Sequence, residues 1–175
     1  MTEISYASIA AAVARLCREA NTLLPADLCR AIKAAGETER SPVGKAILED
    51  VAENFAFAAQ KGLPICQDTG MAVVFADLGQ EVHITGGALE DAVNEGVARG
   101  YVEGLLRCSV VGDPLRRENT GDNTPAILHL CLVEGDTLKL TVAPKGFGSE
   151  NMTALRMFTT AATEEDVVDF IVESV

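Results

Sequence analysis

A thiol, an amide, a carboxylate and a hydroxyl stand on consecutive positions in Leu63-Pro64-Ile65-Cys66-Gln67-Asp68-Thr69-Gly70. The stretch falls between a helical pattern and an apolar run, Met71 to Phe75, that reads as a strand. Loops held between rigid elements are where chemical sites tend to lie. Pro64 favours an extended approach and Gly70 permits a tight exit, so the polar residues between them can converge on one point.

Three readings compete. Cys66 could be a small core residue and Asp68-Thr69-Gly70 a plain turn. The triplet is also the aspartic-protease signature, in which two such aspartates share a proton. Here, however, Cys66 and Gln67 replace the apolar strand that usually precedes it, and a single copy would require a homodimer. The third reading is a metal site, with Cys66 as a thiolate ligand and Asp68 moving protons beside it. Soft thiolate selects iron–sulfur, zinc or copper(I) over magnesium or calcium.

Two further glycine-punctuated segments strengthen the metal reading: Gly121-Asp122-Asn123-Thr124-Pro125 and Lys145-Gly146-Phe147-Gly148-Ser149-Glu150-Asn151. With Leu106-Arg107 between the first and second, these stretches in this order resemble the α subunit or N-terminal domain of the iron–sulfur hydro-lyases that include class I fumarase and L(+)-tartrate dehydratase. The resemblance runs from about Pro64 to the end and is looser over the helical N-terminal part.

The resemblance implies a four-iron, four-sulfur cluster held by three cysteines, with one iron left open to take the substrate's hydroxyl and a carboxylate. Cys66 is then the first cluster ligand. Gln67 contacts substrate, and Asp68 takes part in proton transfer. Arg107 reaches a substrate carboxylate with its planar fork, and Gly148 lines the substrate. Thr69, Asp122, Asn123, Thr124, Lys145, Ser149, Glu150 and Asn151 stand around cluster and substrate without direct contact. In many relatives the position of Phe147 is another glycine, so the pocket wall is expected to differ there. The other two cysteines, a histidine partner for the aspartate, the base and further substrate-binding cations would lie beyond Val175. The chain is therefore expected to be a truncated α region or a separately encoded half, inactive without those segments or a complementary β subunit.

Apart from these motifs the chain is restrained in chemistry. Its 175 residues, 48% of them hydrophobic, suffice for one core and one domain, with residues 1–62 helical and 63–175 carrying the motifs. Without tryptophan the core must be aliphatic. Five cysteines, at 17, 29, 66, 108 and 131, form an odd set without CxxC spacing, against a disulfide framework or zinc ribbon. Cys17, Cys29, Cys108 and Cys131 read as reduced core residues. The formal net charge of −12 excludes a nucleic-acid or acidic-membrane partner. A dicarboxylate substrate then needs cations gathered at the site, from Arg107, Arg116, Arg117 and Lys145. No apolar run approaches the roughly 20 residues that cross a bilayer, and no signal peptide opens the chain, so the cytoplasm is expected.

Periodicity gives an α+β fold: a helical N-terminal region, then a mixed or antiparallel sheet with flanking helices. Met1 to about Gly36 reads as two helices, the second opened by Pro25 and Asp27 and closed by Gly36; a third starts at Ser41-Pro42 and ends before Gly62. Their apolar stripes read as core in preference to subunit contacts. Met71–Leu78 and Glu81–Thr85 read as strands, and Ala88–Leu106 as a helix that places Arg107 at its end, where a cation also relieves the helix dipole. Ala126–Val133 and Thr137–Pro144 read as a hairpin across Glu134-Gly135-Asp136. His83 and His129, lone residues within strands, read as structural. Ser149 is expected to begin a helix, and two helices, Met152–Phe158 and Glu164–Val175, close the chain. Function follows as a component of a hydro-lyase acting on a C4 dicarboxylate, within a homo- or hetero-oligomer; the alternative is a non-catalytic module serving assembly or regulation.

Overall fold

The computed structural model describes residues 2–175, with the side chains of residues 149 and 150 outside the description. Strand β1 (Thr2–Ser5) leads into helix α1 (Tyr6–Thr22), followed by α2 (Ala26–Thr38) and α3 (Pro42–Lys61). Strands β2 (Met71–Gly79) and β3 (Val82–Thr85) precede α4 (Leu89–Glu103); β4 (Ile127–Val133), β5 (Leu138–Lys145) and α5 (Glu164–Ser174) complete the order. The architecture is α+β, as the periodicity implies.

The core lies where α1 and α4 cross on one face of the sheet β4-β2-β5. Ile9, Val13 and Cys17 recur at four-residue steps on α1, and Val93, Val97 and Tyr101 do so on α4; all six are buried. The two helices approach closely because the contacting positions are small. A Cβ at Gly96 would lie 2.7 Å from the Ala10 carbonyl, and one at Gly100 would lie 2.9 Å from that of Ala14. Ala72, Val74 and Ala76 of β2 face this helical layer and are fully buried. The core is aliphatic as expected, with Tyr101 its largest fully buried side chain.

Helix α3 obeys its local signals. Ser41 caps it by accepting from the Gly44 N–H at 3.3 Å, Pro42 opens it, and Gly62 ends it in the left-handed region at φ 64°. The pairing of α2 with α3 is another matter, since α2 has no buried residue and α3 buries only Ala58. Their apolar stripes, with Leu28, Ile47 and Phe57 about half exposed, are therefore not core.

Several expectations are corrected. Thr2–Ser5 is a strand because it lies parallel to β3, Thr2 opposite Val82 and Ser5 opposite Thr85; Met1 lies outside the described residues. Helix α2 runs past Gly36 to Thr38. The expected hairpin is split: β2 lies between β4, to which it is parallel, and β5, to which it is antiparallel. Two strand spacings are about 10 Å, within reach of the residues joining β4 to β5. Those residues wrap the end of β2, with the Gly79 N–H donating to the Thr137 carbonyl and the Gln80 N–H to that of Val133. Helix α4 stops at Glu103, so Arg107 stands past the helix and not on its dipole. Ser149–Met152 is a single 3-10 turn, and residues 153–159 form no helix. Leu155 and Met157 are more than four-fifths exposed, and so short a helix needs a packed face. Cys131 is exposed and Cys29 and Cys108 half-buried, leaving Cys17 as the one core cysteine among the described residues. His83 and His129 are exposed; His129 stacks on Phe75 at 5.0 Å.

Candidate functional site

Residues 63–70 are tied down at both ends. On the way in, the Ile65 N–H donates to the Asn21 carbonyl at 2.9 Å, and the Asn54 side-chain amide donates to the Ile65 carbonyl at 3.0 Å. On the way out, Gly70 sits at φ 59° so close to β5 that a Cβ would lie 2.2 Å from the Lys145 carbonyl oxygen. Only glycine fits that approach.

Between these anchors, Cys66 is exposed, its sulfur accepting from the Asp68 N–H at 3.4 Å and standing 3.5 Å from Gln67 Oε1. Asp68 Oδ1 accepts from the Gly70 N–H at 3.1 Å. Its other oxygen lies over Gly146, where a Cβ would come within 2.7 Å of Oδ2. The first and third motifs therefore meet at the Asp68 carboxylate. Thr69 is buried; its hydroxyl donates to the Arg107 carbonyl at 2.9 Å, and its own carbonyl accepts from the Tyr101 hydroxyl at 2.8 Å.

The second motif is joined to the same place by Asn123, which is fully buried at φ 65°. Its amide donates to the Gly70 carbonyl at 2.9 Å, and its oxygen accepts from the N–H groups of Ser109 and Val110 at 2.6 and 3.1 Å. Asparagine tolerates the left-handed region, and its short amide is both donor and acceptor. Asp122 Oδ1 accepts from the Thr124 hydroxyl at 2.7 Å and the Thr124 N–H at 3.0 Å, which hold its carboxyl below the ordinary range.

An open depression of about 410 Å³ borders this junction, with Cys66, Gln67, Thr69 and Arg107 among its lining residues and Leu63, Ile65 and Leu105 beside them. Of the four cations considered from sequence, Arg107 alone lines it; Arg116 and Arg117 lie on an exposed loop, and the Lys145 ammonium bonds the Gly146 carbonyl. Gly148 is exposed with open space where a side chain would be, and Phe147 and Asn151 are exposed nearby in sequence. The roles expected of Ser149 and Glu150 rest on side chains outside the described residues.

Sequence reasoning missed Tyr101 and Asn21. Tyr101 continues the Val93, Val97 spacing on α4, and a tyrosine on a buried face needs a partner for its hydroxyl. Burial pushes its pKa well above the ordinary value, which keeps the hydroxyl a donor to Thr69. Asn21 lay unremarked in the last turn of α1, and its backbone carbonyl carries no sequence signal.

Among the described residues no group of three or more His, Cys, Asp or Glu is placed to hold a metal ion. Burial and the neighbouring Asp122 raise the Cys108 thiol, which keeps it protonated. Cys66, exposed at an open depression with a carboxylate two residues on, fits a single thiolate contribution to a soft metal centre. It does not make a site by itself.

The α+β fold thus brings the three glycine-turned motifs together, the third over the Asp68 carboxylate and the second on Gly70, beside the exposed Cys66 thiol. The family description Fumarate hydratase (Fumerase) matches residues 10–175, and the chain belongs to that family. A Methanocaldococcus jannaschii protein provisionally named L(+)-tartrate dehydratase subunit alpha is 33% identical over 169 residues, 93% of this chain and 59% of that protein. The anaerobic class I fumarate hydratase of Escherichia coli K12 is 38% identical over 140 residues, 78% of this chain and 25% of the relative. The L(+)-tartrate dehydratase subunit alpha of Escherichia coli UTI89 is 25% identical over 158 residues, covering 52% of its length. The chain thus spans about a quarter to three-fifths of these relatives. No helix among the described residues is long and apolar enough to cross a membrane.

Proposed function

We propose that this chain is the α-type component of a cytoplasmic hydro-lyase that reversibly hydrates a C4 dicarboxylate, of the fumarate/malate or tartrate/oxaloacetate kind. The observation that carries the reading is the convergence of three distant motifs: Asp68 on Gly146, Gly70 on Asn123, and Thr69 on the Arg107 backbone.

In this reading Cys66 offers one thiolate to a four-iron cluster, and the remaining ligands come from a complementary β subunit or C-terminal domain. When bound, such a group supplies Lewis-acid polarisation of a substrate oxygen. The chain's own residues do the rest. Arg107, exposed at the depression, offers two parallel N–H donors to a substrate carboxylate, and Gln67 offers an amide that can donate to a carbonyl or hydroxyl. The Gly70 N–H on Oδ1 orients the Asp68 carboxyl, whose Oδ2 stands beside Gly146, so that this group would take part in proton transfer at the substrate while the base comes from outside this chain. Thr69 and Asn123 hold the loop at the angle this requires, from behind.

The test is anaerobic reconstitution of the chain with iron, sulfide and the complementary polypeptide, read by visible absorption and by fumarate and tartrate hydratase assays. Cys66→Ala should abolish the absorption band. Asp68→Asn should keep it and lower kcat by about 10²-fold or more. A Cys66→Ala protein with a full cluster would remove the ligand assignment. Absence of any cluster with the complementary polypeptide present would leave the second reading, a non-catalytic assembly module, which the exposed apolar residues of α2, β4 and α5 favour.

A further inference from the structure

The aliphatic core admits polar side chains in one place. Among the described residues, Asn21, Thr69 and Asn123 are the buried polar ones, and the Tyr101 hydroxyl reaches into the same group, with the amides of Asn21 and Asn123 approaching its oxygen. From here the core holds the Cys66-Gln67-Asp68 loop at both of its ends: the Asn21 carbonyl at Ile65, the Tyr101 hydroxyl at Thr69, and the Asn123 amide at Gly70. Buried polar groups are costly unless paired, and here their partner is the loop backbone.

Two of the bonds at the loop's exit fall on a single peptide unit. The Thr69 carbonyl accepts from the Tyr101 hydroxyl at 2.8 Å, and the N–H of that same unit, on Gly70, donates to Asp68 Oδ1 at 3.1 Å. In a trans peptide the carbonyl and the N–H share a plane and point in opposite directions, so holding the first aims the second. Polarisation adds to the geometry, because a bond accepted by the carbonyl strengthens the N–H as a donor. The Thr69 hydroxyl leads elsewhere, to the Arg107 carbonyl at 2.9 Å. One residue thus carries two separate connections, its carbonyl serving Asp68 and its hydroxyl serving Arg107.

We propose that Tyr101 is a positioning residue for Asp68, acting through the Thr69–Gly70 peptide unit: its hydroxyl aims the Gly70 N–H that orients the carboxyl over Gly146. Tyr101 is itself buried on α4, outside all three motifs, and works from behind the loop. Its effect on turnover rests on the hydro-lyase reading, whereas the orientation of the carboxyl does not.

The test begins with amide hydrogen exchange, followed by NMR, on the chain alone. Tyr101→Phe removes the hydroxyl and keeps the ring in its packing; the Gly70 amide should exchange about tenfold faster while the amides of α4 hold their rates. Val97→Ala, which removes only packing one turn earlier on α4, should leave Gly70 unchanged. In the wild-type chain the Tyr101 hydroxyl proton should be visible, sheltered by burial, with a cross-peak to Thr69, a check that needs no substitution. In the reconstituted assembly Tyr101→Phe should lower kcat about tenfold with KM and the visible absorption unchanged, and Thr69→Val should raise KM instead. Added to Asp68→Asn, Tyr101→Phe should cost no further kcat. Unchanged Gly70 exchange in Tyr101→Phe, a missing hydroxyl cross-peak, or a full additional loss in the Asp68→Asn background overturns the proposal. A Gly70 amide that responds in a chain whose wild-type assembly hydrates neither fumarate nor tartrate sinks the hydro-lyase reading and upholds the positioning of the carboxyl.

Discussion

Removing the Asn123 side chain should loosen the whole junction, and its cost can be worked from the structure. The side chain makes three hydrogen bonds from a fully buried position: one donated to Gly70 and two accepted from Ser109 and Val110. At about 1 kcal/mol net for each, Asn123→Gly should cost about 3 kcal/mol. The backbone there sits at φ 65°, where glycine escapes the left-handed penalty that a Cβ carries and alanine keeps it, so Asn123→Ala should cost about 1 kcal/mol more than Asn123→Gly. The expected order of stability is wild type, then glycine, then alanine, measured by urea unfolding with unchanged m-values. Hydrogen exchange at the Ser109 and Val110 amides should quicken beyond what the global loss explains. An alanine variant that loses less than about 1 kcal/mol, or a glycine variant weaker than the alanine one, would refute the claim that this side chain ties the second motif to the first.

Other expectations follow from the same contacts. Gly70→Ala drives a Cβ into the backbone carbonyl of Lys145, so it should destabilise by about 3 kcal/mol or more in urea unfolding. Gly146→Ala meets the end of the Asp68 side chain and not backbone, so unfolding should change less than for Gly70→Ala while kcat of the reconstituted assembly falls. Burial pushes the Cys17 thiol up to about 12, so native-state alkylation should reach Cys66 and Cys131 and spare Cys17 until the chain unfolds. Because the folded protein disfavours that thiolate, the associated stability is present below the ordinary thiol value and declines as pH rises from about 9 towards 12. Asp122 has the opposite sign: its carboxyl is depressed by the Thr124 hydroxyl and N–H, so its contribution is present above the ordinary carboxylate value and is lost as pH falls through the folded one. Thr124→Val should raise the Asp122 pKa in an NMR titration and blunt that acid loss.

Much of this protein could be read along the chain. The family was legible because its motifs are contiguous, and α3 was legible because Ser41, Pro42 and Gly62 are local signals acting on neighbouring backbone. The spacing of Ile9, Val13 and Cys17 carries the buried face of α1, and the alternation of Leu138, Leu140 and Val142 with Lys139 and Thr141 carries the inward face of β5. These features arise from interactions within a few residues, and the order of residues alone carries them.

Pairing decided what the chain order could not. β1 is too short to be called a strand until β3 lies beside it, and the turn after β4 looks the same whether it joins neighbours or brackets β2. The exposure of Cys131 and the apolar stripes on α2 depended on whether another layer covers them. Within the candidate site, the sequence by itself determined which groups are present: one thiol, one carboxylate, one guanidinium and three glycine turns. Only the tertiary structure decided that Asp68 lies over Gly146, that Asn123 clasps Gly70, and that Tyr101 holds Thr69. The reason is physical: those contacts join residues 32 or more positions apart, and they form only once the α1–α4 layer and β2 have buried enough apolar surface to fix the intervening backbone.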